Sequence, residues 1–167
     1  SSHAERLSAE ERLFQTVRQV QASHDAMDIQ SIFTDPLIAP EGVAPGEIQA
    51  LQRSLGISLP SEYALFLSRW RNLTIWGGYA VWDPAGSGTT PYLTTLEGRQ
   101  LLAVGDVWHD SDGDPLLLDV GSDQAPAFVW CQEDRRLRPL ARSFSLALLK
   151  LAAFVISTGR LPPPADS

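Results

Sequence analysis

The densest run of residues able to do chemistry is Gly105-Asp106-Val107-Trp108-His109-Asp110-Ser111-Asp112-Gly113-Asp114, with Asp119 and Asp123 further on. No Lys or Arg occurs between Leu102 and Asp123. A nucleophilic hydrolase needs a nucleophile, a base and a group that orients the base. His109, with Asp106, Asp110 and Ser111 close by, supplies the residue types. However, no Gly-x-Ser-x-Gly elbow surrounds any serine. His3 and His24 lie in or beside an irregular N-terminal region. His109 therefore reads as a solvated turn histidine, and no catalytic residue is assigned.

Spaced aspartates also raise calcium. An EF-hand loop places Gly at its sixth position and a bidentate Glu at its twelfth. Counted from Asp110, the glycine falls fourth and the twelfth residue is Gly121. Two readings of the aspartates remain. Some bond nearby backbone N–H groups in a turn, and others form an exposed acidic surface for a basic partner. Gly86-Ser87-Gly88-Thr89-Thr90 lacks the lysine and the following helix of a phosphate loop, so it reads as a hairpin loop. The paired cysteines of zinc deaminases and a His-Glu-x-x-His helix are both absent. Cys131 is the only cysteine, which rules out an intrachain disulfide or a thiolate zinc cluster. It alternates with Val129 and reads as a buried, inert thiol. No metal or cofactor is expected.

These residues have to be positioned by the elements around them. Ser8 and Glu11 fit a capping box, followed by a helix with Leu13, Phe14, Val17 and Val20 on one stripe. His24 to Gly46 carries Pro36, Pro40 and Pro45 and reads as a long connection. A second helix is expected from Pro45 to Leu55, ended by Gly56. After the short link Ile57-Ser58-Leu59-Pro60, a third should run from Ser61 to Arg71, burying Tyr63, Phe66, Leu67 and Trp70. Strands are expected at Leu73–Ile75, Tyr79–Trp82, Tyr92–Leu96, Leu101–Val107, Pro115–Val120, Ala127–Gln132 and Leu137–Ala141. Their short connections favour antiparallel pairing. The apolar stretch Ser143 to Thr158 is a closing helix with Ser143 as N-cap. Gly159 and Pro162-Pro163-Pro164 end it.

Helices first, strands next and a helix last give an α+β class. The chain divides into residues 1–44, an N-terminal helix and irregular connection; 45–158, one α+β domain; and 159–167, a tail. Its 167 residues suit a single core, and 44% hydrophobic and 20% charged residues are ordinary for a globular protein. The formal charge of −7 disfavours nucleic acid and anionic membranes as direct partners and suits a basic protein. No apolar run approaches a membrane span, and Ser1 to Arg6 does not look like a signal peptide. The expected location is the cytoplasm.

Four blocks, in this order, resemble the SUKH superfamily, which includes the fungal Smi/Knr-type cell-wall regulators and many bacterial immunity proteins. Glu47-Ile48, Leu51, Leu55-Gly56-Ile57, Leu59-Pro60-Ser61-Glu62-Tyr63 and Phe66-Leu67, followed by Asn72, are similar to its N-terminal signature. Gly105-Asp106, Gly113-Asp114 and Asp119 resemble its Gly-Asp strand-turn-strand block. Pro126-Ala127-Phe128-Val129-Trp130 resembles its aromatic-ended strand, and Ala141, Ser143-Phe144 and Leu148 its closing helix. The resemblance spans Pro45 to Leu151. It departs from the family where Asn72-Leu73 replaces the usual Asn-Gly.

The resemblance implies a curved antiparallel sheet with helices packed against it, and binding rather than catalysis. It also implies a bacterial immunity protein that occludes the active site of a toxin from a contact-dependent or type VI system, often a nuclease or deaminase. The partner is then one cognate, basic protein toxin, bound by a monomer or weak dimer. The expected contact residues are Trp108, Asp110, Asp112, Asp114, Glu133 and Asp134, with Asp106 and Gly113 shaping the turn. A regulatory or scaffold domain of the fungal type and a small enzyme built on His109 are the competing readings.

Overall fold

The computed structural model describes residues 42–75, 78–85, 88–106, 114–122 and 124–158, with Glu11, Gln15, Thr16 and Arg18. For 74–75, 78–80 and 152–158 it describes the backbone alone. The four N-terminal residues are helical, and the rest of the expected first helix lies outside the described residues. Three helices and seven strands follow: α1 (Pro45–Leu55), α2 (Ser61–Arg69), β1 (Leu73–Ile75), β2 (Gly78–Val81), β3 (Tyr92–Leu96), β4 (Arg99–Asp106), β5 (Pro115–Asp119), β6 (Ala127–Cys131), β7 (Arg136–Ala141) and α3 (Phe144–Thr158). β1 and β2 form an antiparallel pair, and β3 to β7 form a five-stranded antiparallel sheet in sequential order.

α1 starts on Pro45, whose fixed φ suits a first helical residue, and stops at Gly56 in the left-handed region, φ 72°. The Gly56 N–H closes on Gln52 O at 2.8 Å. Gln52 Oε1 then accepts the Leu59 N–H at 3.0 Å and steers the chain into α2. α2 ends two residues before its expected limit. Gly42-Val43 crosses its C-terminal end, and the Val43 N–H takes Leu67 O at 2.7 Å. A Cβ on Gly42 would lie 2.2 Å from Ser68 O, so only glycine allows this approach. Trp70 then turns extended and feeds β1.

All three helices pack on one face of the sheet. Tyr63, Phe66 and Leu67 of α2, Phe144, Ala147, Leu148 and Leu151 of α3, and Leu102, Val104, Leu116, Leu118 and Val129 of the strands form this core. The Phe144 ring meets Tyr63 and Phe66 edge-on, with centroids 5.7 and 5.6 Å away. Such a ring truncated to Ala costs about 3–5 kcal/mol.

The opposite face carries a second cluster, Trp82, Leu101, Ala103 and Leu117, with Leu96, Phe128, Trp130 and Leu137 around it. Among the described side chains, none from α1, α2 or α3 belongs to this cluster, yet Leu101, Ala103 and Leu117 are fully buried. Curvature accounts for much of this. The two-residue turn Glu97-Gly98 between β3 and β4 has both φ angles positive, 49° and 76°, as tight hairpins require. From there Glu97 Oε2 accepts the N–H of Leu137, at the diagonally opposite corner on β7, at 2.8 Å. In a flat sheet these strands would lie roughly 15–19 Å apart, far beyond a glutamate's reach. The sheet therefore curls until its corners meet. Arg99 lies across the same face, 4.9 Å over the Phe128 ring and 2.7 Å from Asp119.

The start of α3 is tied to α2. Ser143 Oγ accepts the Leu146 N–H at 3.3 Å, and Glu62 Oε1 accepts the Ser145 N–H at 3.1 Å. These bonds satisfy two of the N–H groups a helix leaves free at its start. Glu62→Ala should lower stability by about 1 kcal/mol in denaturant melts, while Glu62→Gln, which keeps an accepting oxygen, should retain most of it. The Tyr63 hydroxyl is buried without a hydrogen-bond partner among the described residues, and burial followed by Asp83 raises its pKa. Tyr63→Phe should therefore leave stability unchanged or raise it by up to about 1 kcal/mol in the same melts.

Candidate functional site

The strand order sets where charge collects. β4 ends, β5 begins, β6 ends and β7 begins at one end of the sheet. That end holds Asp106 and Asp114, which flank the β4–β5 connection, and the acids of the turn Gln132–Arg135, 18 residues or more further on in sequence. Trp108, His109, Asp110, Asp112 and Gly113 lie outside the described residues. Asp106, Asp114, Glu133 and Asp134 are described, and all four sit at this end.

Each of the four has a different environment. Asp106 is half-buried, and its Oδ2 accepts the Trp82 indole N–H at 2.9 Å. Burial raises its pKa above the usual carboxylate value, the Trp82 bond opposes the rise, and Asp114 adds to it. Asp114 is 9% exposed, and its Oδ1 accepts the Gln132 N–H at 3.1 Å, joining the start of β5 to the β6–β7 turn. Burial raises its pKa too, against the pull of the Gln132 N–H, and Asp134 and Glu133 push it further. Glu133 is exposed. Asp134 is exposed and lies 2.6 Å from Arg138, whose hydrogen bond lowers its pKa.

Of the two sequence-marked aspartates that remain, Asp123 lies outside the described residues and Asp119 belongs elsewhere. Asp119 closes the far end of the sheet, binding Arg99 at 2.7 Å and the Gly121 N–H at 2.8 Å. Cys131 is buried, and burial followed by Asp114 raises its thiol pKa, which keeps it protonated. Among the described residues no group of three or more His, Cys, Asp or Glu is placed to hold a metal ion. No helix there is long and apolar enough to cross a membrane.

One residue of this corner escaped the sequence reading. Tyr92 is 41% exposed and stacks on Trp82 with centroids 6.0 Å apart and planes at 21°. It opens β3 opposite Ala103, beside Asp106, whose charge adds to burial in raising the phenol's pKa. Only pairing across strands reveals it, because a tyrosine at a strand start carries no signal of exposure. The corner thus combines an exposed aromatic ring on a rigid indole with half-buried and exposed carboxylates. Large aromatics at the centre and polar groups at the rim are typical of protein-binding surfaces.

The raised carboxyl pKa values fix a sign. The folded state binds a proton at Asp106 and Asp114 more readily than the unfolded chain does. Stability from these two groups is thus lost as pH rises through their folded pKa values and gained as pH falls. Asp134, with its lowered pKa, works in the opposite direction. Asp114→Asn keeps an oxygen for the Gln132 N–H and removes the charge. It should raise stability at neutral pH, and the gain should shrink on acidification, as read by urea melts across pH. A gain independent of pH would contradict the electrostatic origin.

Comparison with known proteins agrees with this architecture. A family model described as SMI1 / KNR4 family (SUKH-1) matches residues 42–150. No curated protein and no solved structure matches. The matched span starts at Gly42, which packs on the end of α2, and includes β1 to β7 and the first half of α3. With a family match over well more than half of its length and the α+β fold that this family implies, the chain belongs to the SMI1/KNR4 (SUKH-1) family.

Proposed function

We propose that this protein is an immunity protein. It binds a cognate secreted bacterial toxin, delivered by a contact-dependent or type VI system, and covers that toxin's active site. The observation that carries the reading is the collection of Asp106, Asp114, Glu133 and Asp134 at one end of the sheet, where Asp114 is coupled to the other three. A concentration of one charge sign speeds encounter with a surface of the opposite sign. A nuclease or another enzyme acting on nucleic acid presents such a basic surface around its active site. Family membership supports a role in protein binding.

Within this reading the residues divide by environment. Glu133 and Asp134 point outward from the turn and meet the partner first, together with Asp110, Asp112 and Trp108 from the β4–β5 connection. Asp114 stays bonded to Gln132 at the edge of the contact and holds the two acidic segments in register. Tyr92, on its Trp82 support, is the aromatic anchor. The protein acts in the cytoplasm, by occupying a surface rather than by making or breaking bonds.

Coexpression with the product of the adjacent open reading frame, followed by copurification, identifies the partner. Reversal of charge at Asp110 and Asp112, or at Glu133 and Asp134, should slow association about tenfold at low salt and by much less at high salt. The dissociation rate should change little. Stopped-flow or surface-binding kinetics at several salt concentrations would measure this. Association rates of the native protein that ignore salt would count against an electrostatic contact, and weak binding to several unrelated proteins would favour the regulatory type of the family.

A further inference from the structure

The two borders of the five-stranded sheet differ. β7 is blunted as an edge: Pro139 has no N–H, the Leu137 N–H is taken by Glu97, and the Leu140 carbonyl is taken by Lys150. It also carries Arg136 and Arg138 and an irregular register. Such devices keep an edge from pairing with a further strand. β3, the other border, has none of them. Tyr92, Thr94 and Thr95 are strong strand formers. The register with β4 is unbroken, and no charged residue occurs from Pro84 to Leu96.

The Glu97-Gly98 turn fixes which backbone groups of β3 point outward. Beside a two-residue loop the flanking pair, Leu96 and Arg99, exchanges both of its hydrogen bonds, and every second pair along the ladder does the same. Tyr92, Thr94 and Leu96 thus direct their N–H and C=O groups to β4. Gln100, opposite Thr95, turns its carbonyl the other way and accepts the Val120 N–H at 3.1 Å, as this phase requires. Leu93 and Thr95 therefore aim their N–H and C=O groups away from the sheet. Neither has a hydrogen-bond partner there among the described residues. Beside them the Tyr92 ring is 41% exposed.

We propose that β3 pairs with β3 of a second copy across a two-fold axis at Thr94, joining the two sheets. The strand's own composition selects this occupant. A strand without charge sets no like charges opposite each other when it pairs with itself, although the chain as a whole carries −7. The outward groups fix the register. Leu93 stands opposite Thr95 of the second copy, and Thr95 opposite its Leu93, and each pair exchanges both of its bonds. Thr94 then meets Thr94 of the second copy. An axis at Leu93 would set the Thr95 carbonyl against Pro91, which has no N–H. An axis at Thr95 would bring in Glu97, whose φ of 49° is not that of a strand. Tyr92 and Leu96 lie on the face of the second apolar cluster. Across the axis each packs on the other, so that cluster continues from one copy into the next. An interface of this size is weak. It covers the ring that the proposed toxin contact uses, so toxin and second copy compete for Tyr92. The pairing itself does not rest on that reading and is tested without a toxin.

The experiment uses the full chain alone. Sedimentation velocity from about 10 μM to about 1 mM should show monomer passing into dimer. Over the same range, hydrogen exchange at the Leu93 and Thr95 amides should slow about fivefold, while the Tyr92, Thr94 and Leu96 amides, already bonded to β4, stay unchanged. Thr94→Lys and Thr94→Glu should each remain monomeric, because like charges meet at the axis. An equimolar mixture of the two should dimerise at least as strongly as the native chain, which also shows that both variants keep this edge folded. A native chain that stays monomeric would overturn the proposal and leave the edge to a strand of another protein. Leu93 and Thr95 amides fully protected in the dilute monomer would overturn it too, since the chain would then cover its own edge. A dimer that survives Thr94→Lys, or a mixture that stays monomeric, would exclude an axis at Thr94.

Discussion

A five-stranded sheet that is apolar on both faces must be covered on both. The described chain supplies helices to one face, and the other is enclosed largely by the sheet's own curl. The bond from the Leu137 N–H to Glu97 ties the diagonal corners together, and Arg99 lies across the strands between them. The tight Glu97-Gly98 turn, with both residues in the left-handed region, starts the twist. The irregular registers between Ala103 and Gly105 and between Ala127 and Phe128 add to it, because each bulge increases local twist. Much else follows from this geometry. It buries Leu101, Ala103 and Leu117, and it occupies outward-facing groups of the β7 edge.

The same geometry decides where charge can gather. Sequential antiparallel strands send alternate connections to alternate ends, so the β4–β5 and β6–β7 connections share an end while the β5–β6 connection lies at the other. Both connections at the first end are acidic. Burial, with a smaller push from neighbouring carboxylates, raises the pKa values of Asp106 and Asp114, and the fold tolerates this by giving Asp106 an indole donor and Asp114 a backbone donor. A surface built this way carries its negative field before a partner arrives. Preorganisation of this kind favours fast encounter, since the partner need not gather the charges itself.

Much of the fold was legible in the sequence. Pro45 and Gly56 mark both ends of α1, and the limits Pro45–Leu55, Leu73–Ile75 and Tyr92–Leu96 agree with the structure residue for residue. These are places where backbone chemistry is local. Disagreements appear where a distant partner decides. α2 stops at Arg69 rather than Arg71 because the Gly42-Val43 segment takes its end. β4 begins at Arg99 rather than Leu101 because a hairpin turn of only two residues extends the ladder. The site was legible in part: the acidic runs stand out in composition, but Tyr92 does not. Its partner Trp82 is ten residues away, just after β2, and nothing in either local pattern links them.

The sequence by itself determined the elements, their order and the sign of the charge, because turn residues, periodicity and composition act over a few neighbouring positions. It also determined the family, through four blocks whose spacing matches. Only the tertiary structure decided what the conspicuous polar residues do. Asp119, Asp114 and Asp106 look alike as acids in Gly- and Asp-rich stretches, but one closes a strand end with Arg99, one fastens two segments and one holds a tryptophan. Glu62, an unremarkable residue on a helix, caps a helix 83 positions later. Those roles depend on which donors stand within about 3 Å, and that is set by how the sheet curls and where the helices settle on it.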